Sequence, residues 1–123
     1  MHHDDQQFHP DQLNVLELQH PGAMVVMLNM QGQYVYASSA CLAVLGYEPD
    51  EVIGHVATEF AATEDIPHVE VTLKDALLND VSVTVTIRVR TKSGELRLAR
   101  GGIQKVIDPA TDDVYLVGWV KLA

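Results

Sequence analysis

The sequence predicts an α+β domain: a five-stranded antiparallel sheet with short helices and one longer helix covering one face. Three observations carry this. Two short apolar segments, AMVVMLN and QYVYA, flank a turn containing Asn29 and Gly32, which makes a hairpin. The run VSVTVTIRV alternates without a miss, with Val81, Val83, Val85, Ile87 and Val89 on one side. The last segment, VYLVGWVKL, is apolar on both faces, the profile of a central strand.

The elements follow in order. Residues 1–10 have no periodicity and read as a disordered tail. Residues 11–20 place Leu13, Leu16 and Leu18 on one side of an amphipathic helix that Asp11 can cap and Pro21-Gly22 ends. A single domain then spans 23–123. After the hairpin, Ser38 stands where an N-cap belongs, with Ala40, Cys41, Val44 and Leu45 at helical spacing and Gly46 at the C′ position. EPDEVIG starts a second short helix with Pro49 in its first turn and Gly54 at its end. The sequence VATEFAAT holds one further turn. A longer helix begins near Asp65 and buries Ile66, Val69, Leu73, Ala76 and Leu77. Two helices broken at Gly46 and Gly54 can arch over the sheet and leave room beneath. Ser93-Gly94 and Asp108-Pro109 turn the last three strands into a meander, and the first hairpin joins the same sheet to bury its Val and Met side chains.

Composition narrows the function. A net charge of −9 argues against nucleic acid, and the longest apolar run, AMVVML, is too short to span a bilayer. No secretory signal opens the chain, and one cysteine, Cys41, rules out an internal disulfide, so a cytoplasmic location is expected. No Gly-x-Ser-x-Gly setting, phosphate loop or paired histidine motif is present, and the paired acids sit at turns and caps. An enzyme is not expected.

The stretch from Asn29 to Gly32, followed by YVYASSACLAVLGY, resembles the turn, second strand and first helix of the PAS sensor family. EPDEVIG is similar to the family's next acidic short helix, TED at 63–65 falls at its cap before the long helix, and KSG at 92–94 looks like its basic-Asp-Gly turn. The resemblance covers roughly residues 23–121. Ser38 replaces the usual Asn, and the family's Asp-Ile-Thr signature, which hands the signal to an effector, would begin at Leu122. The resemblance implies a sensory or signal-transduction module. Such a module binds a small ligand or partner between helices and sheet and signals, through dimer packing, to a downstream effector protein or domain.

Four residues are candidates for a binding site. His68 resembles in placement the proximal histidine of haem-binding PAS sensors, which implies ligation of haem iron; the alternative is a surface or core histidine. Arg100 faces Ile87 and the apolar side if the Ser93-Gly94 turn has two residues, and there would want a carboxylate or phosphate partner; a three-residue turn points it outward. Arg88, Arg90 and Arg97 form a solvated stripe or a dock for an acidic partner. Tyr115 and Trp119 line either the pocket or the outer sheet face, where PAS relatives often pack on a second protomer or an N-terminal helix; a homodimer is expected on that basis. Non-covalent flavin fits the family, whereas the reactive-cysteine motif of LOV photosensors is missing near VATEF, and Cys41 reads as a small buried hydrophobe.

Overall fold

The protein is described here by a computed structural model over residues 8–80 and 82–123. The chain begins with helix α1, Asp11–Gln19, and strands β1, Met24–Leu28, and β2, Tyr34–Ala37. Helices α2, Cys41–Leu45, and α3, Pro49–Val52, follow; two 3-10 turns, Ala57–Phe60 and Thr63–Asp65, lead into α4, Ile66–Asn79. Strands β3, Val83–Arg90, β4, Leu96–Ile107, and β5, Val114–Leu122, complete one sheet in the order β2-β1-β5-β4-β3, antiparallel throughout. The doubly apolar β5 is indeed the central strand, because only there are both of its faces covered.

Local chemistry sets the boundaries. The Asn29 side chain accepts from the backbone N–H groups of Gln31 and Gln33, both at 3.0 Å, and Gly32 takes φ 79°, which closes the β1–β2 turn. Gly46 ends α2 in the left-handed region at φ 79°, and the Leu45 carbonyl there accepts the Lys92 N–H at 2.9 Å. The β3–β4 hairpin thus caps α2.

Two expected caps have other partners. Ser38 Oγ accepts the Val25 N–H at 2.9 Å, fastening the end of β2 to β1 rather than capping α2. Asp65 makes no side-chain cap to α4; its carboxylate accepts from the backbone N–H, Nε and Nη2 of Arg88 on the edge strand. Three donors converging on one carboxylate outweigh a single cap bond. The neighbouring Ala62 N–H donates to the Arg88 carbonyl, so this segment also occupies part of the exposed edge of β3.

The sheet separates two cores. Between sheet and helices lie Met24, Val26, Leu28, Tyr34, Cys41, Leu45, Val52, Phe60, Ala76 and Leu116. Beneath the arch of α2 and α3, Phe60 stands edge-on between Tyr34 and Tyr47, with ring centroids 5.7 and 5.4 Å away, and fills part of that space. On the opposite face α1 lays Leu13 and Leu16 over Val25, Met27, Val106 and Val117. Leu18, expected on the same side, is 82% exposed.

The N-terminus differs from expectation. Residues 1–7 of the expected tail, and Val81 at the expected start of β3, lie outside the described residues. Phe8 and His9 are not loose: their rings sit 5.6 Å from Tyr115 and 5.4 Å from Tyr36, and Pro10 is buried. Pro10, not Asp11, holds the N-cap position of α1.

Candidate functional site

The β3–β4 register decides which side chains the outer face presents. Val89 pairs with Arg97, Arg88 with Leu98 and Thr86 with Arg100. The Thr91 N–H donates to the Glu95 carbonyl at 2.8 Å, and Gly94 takes φ 92°, so the loop holds three residues. Arg100 therefore faces outward, and the apolar-side reading that a two-residue turn would give does not hold. The same register turns Leu96 and Leu98 outward, 44% and 54% exposed, and sends Arg97 to the opposite face, where it pairs with Glu95 at 2.9 Å. Arg97 does not belong to the stripe of Arg88 and Arg90.

Tyr115 and Trp119 lie on the outer face with α1, so neither lines the space between helices and sheet. The Trp119 indole is laid over Gly102, its cross-strand partner; a side chain at that glycine would strike the ring. His20, at the end of α1, stacks on the same indole with centroids 3.9 Å apart and planes inclined by 11°. Burial raises the Tyr115 hydroxyl above the ordinary tyrosine range, aided by Asp113 and Asp108.

The sheet's outer face is thus half covered. Over β1 and β5 lies α1, whereas the β3–β4 half exposes Thr84, Thr86, Arg88, Arg90, Leu96, Leu98 and Arg100. Lys121, opposite Arg100, stands on the same face. Four of the chain's eight basic residues are gathered here, in a protein with 17 acidic ones. The side of α1 turned away from the sheet carries Asp11, Asn14, Val15 and Leu18 at helical spacing, with no basic residue on the helix.

His68 is exposed on α4. It lines a cleft of about 240 Å³ with Thr84, Thr86, Arg100 and Trp119. Three of the four sequence candidates, His68, Arg100 and Trp119, converge there; Tyr115 does not. The threonines went unremarked in the sequence, although they are the polar members of the β3 alternation.

Two titratable groups, Cys41 and Tyr34, are buried in the inner core among the described residues. Cys41 is fully buried, and burial first, with Glu51 and Glu48 adding repulsion, pushes its thiol up to about 11. Burial also raises the Tyr34 hydroxyl, with Cys41 contributing, and among the described residues that hydroxyl has no hydrogen-bond partner. At the sheet edge, hydrogen bonding from Arg88 holds the Asp65 carboxyl below the usual carboxylate range. No helix among the described residues is long and apolar enough to cross a membrane.

Comparison with known proteins agrees with this geometry. The family model for the PAS fold matches residues 34–120. The aryl hydrocarbon receptor nuclear translocator homolog of Drosophila melanogaster is 28% identical over 90 residues, covering 72% of this chain and 14% of that protein. The chain therefore spans only a small part of the length of that relative. Among solved structures, Cycle PAS-B of Drosophila melanogaster, with bound ethylene glycol, superposes with a TM-score of 0.75 at 19% identity, covering 81% of this chain and 99% of that one. A sensory box histidine kinase/response regulator from Burkholderia thailandensis gives 0.67 at 27% identity, with 89% and 83% covered.

Proposed function

Because the chain belongs to the PAS family, a family of sensory and signalling modules, we propose that it signals by self-association through the outer face of its sheet. The exposed side of α1 in one copy packs on the bare β3–β4 half of the other, and the reciprocal contact forms by symmetry. The observation that carries this reading is the pairing of two incomplete surfaces. One is basic with Leu96 and Leu98; the other lacks basic residues and carries Asp11, Val15 and Leu18. In this reading the module is not an enzyme, and a downstream effector protein or domain reads the packing.

Magnitudes make such a dimer weak. Fully burying an aliphatic side chain contributes about 1.5–3 kcal/mol, and these side chains are already partly covered. Association costs roughly 4–15 kcal/mol in lost freedom. Four aliphatic residues per copy are of that order, so charge pairing decides the balance. Sedimentation equilibrium tests the reading: the wild type should show a concentration-dependent dimer that Leu98→Glu and Leu18→Glu each abolish. A monomer at all concentrations, or a dimer indifferent to both variants, removes it.

A second reading has one observation in its favour. Among the described residues, the buried Tyr34 hydroxyl between helices and sheet has no hydrogen-bond partner, where a buried tyrosine O–H ordinarily finds one. A small polar ligand held at that hydroxyl would couple to the sheet through the residues around it. Native mass spectrometry of the purified protein decides this: a bound mass lost in Tyr34→Phe supports it, and the bare chain mass in both proteins refutes it.

A further inference from the structure

The cleft around Arg100 has the makings of a site for an anion. The other three arginines of the chain have partners: Arg88 has Asp65, Arg97 has Glu95, and the Arg90 guanidinium reaches the Thr63 hydroxyl at 3.4 Å. Arg100 has none among the described residues. Its neighbours in the cleft, the Thr84 and Thr86 hydroxyls and the His68 ring, likewise make no hydrogen bond among the described residues. No carboxylate lines the cleft, although the chain has 17 acidic residues against eight basic ones. Four side chains with hydrogen-bonding capacity unused among the described residues therefore line a cleft of about 240 Å³. Its wall contains no carboxylate, although the Asp65 charge reaches His68 from outside it.

We propose that this cleft binds a small carboxylate or phosphate anion, with the Arg100 guanidinium as its principal contact and Thr84, Thr86 and His68 as further donors. A planar guanidinium presents two parallel N–H groups to a carboxylate or phosphate, a geometry that a lysine in its place would not offer. The register of the β3–β4 hairpin makes the arrangement possible. A shift by one residue would turn Arg100 to the other face and leave Thr84 and Thr86 without it.

Trp119 forms one wall and is the chain's single tryptophan, so its fluorescence responds to a change in the cleft. The protein is titrated with sodium succinate and, separately, with sodium phosphate, at an ionic strength held constant with sodium chloride. The expected result is a saturable change with at least one anion, and the one that saturates identifies the headgroup. Arg100→Gln should weaken binding by about tenfold or more, as expected for a lost charged hydrogen bond. His68→Gln should weaken it less, and Arg97→Gln, on the opposite face, should leave it unchanged. A response that never saturates with either anion, or one that Arg100→Gln leaves intact, overturns the proposal. Light scattering on the same samples keeps the two readings separate: a dimer without an anion response removes only the site, and an anion response without a dimer removes only the self-association.

Discussion

On the inner face of the sheet, Met24, Leu45 and Leu116 are almost wholly removed from water by helices of the same chain. On the outer face, Leu96 and Leu98 stand about half exposed beside unburied arginines. The same strands supply both sets of side chains, since alternate residues of β4 and β5 point to opposite sides. What differs is the cover. Helices α2 to α4 and the 3-10 turns provide one apolar lid, while on the other side the nine residues of α1 lie mainly over β1 and β5 and reach β4 at Val106. The chain itself closes the inner face, whereas part of the outer face stays bare beside its smaller core of Leu13, Val25, Met27 and Val117.

Substitutions can separate these roles. The largest effect is expected for Leu45→Ala, which empties a site only 1% exposed and should cost about 2–5 kcal/mol in urea unfolding. Leu13→Ala removes an equally buried leucine, but beneath a helix that can detach by itself. Its global cost should be smaller, and Trp119 emission should shift to the red as α1 and His20 leave the indole. An equal global loss for both variants would show that α1 is as integral as the inner helices.

Gly102→Val tests the outer face at its tightest point. The new side chain displaces the Trp119 indole, for a loss of about 1–3 kcal/mol typical of overpacking, with the same spectral shift. Asp65→Asn should produce the smallest loss, visible chiefly as a change in pH dependence. The Asp65 carboxyl is depressed in the folded protein, so its contribution is present above the unfolded carboxylate range and is lost as pH falls through the folded value. Thermal melts of Asp65→Asn should therefore approach those of the wild type as the pH is lowered. A gap that stays constant with pH would mean that the carboxylate's charge is not what matters.

Much of this arrangement was legible in the residues. The alternation of β3, the doubly apolar β5 and the stops at Gly46 and Gly54 are local signals, and each maps onto the observed element. The register of the β3–β4 hairpin was not fixed by such signals, because loops of two and three residues fit the same KSG sequence and differ by a full inversion of faces. Arg100, Arg97, Leu96 and Leu98 all depended on that choice. For Tyr115 and Trp119, apolar residues at both Leu116 and Val117 masked the alternation; Lys121, which shares their parity, was the signal for the outer face. Ser38 and Asp65 looked like caps because helices follow them, yet their partners, the Val25 N–H and Arg88, come from distant strands that no local pattern reveals.

The central proposal is that the two faces have different duties, the inner one closed by the chain's own helices and the outer one completed by a second copy. Backbone amide NMR spectra over a dilution series test this residue by residue. The account predicts concentration-dependent shifts along α1 and the outward positions of β3 and β4, with Leu45, Val52 and Ala76 unmoved. Spectra unchanged on dilution, or shifts concentrated at the inner core, would contradict it.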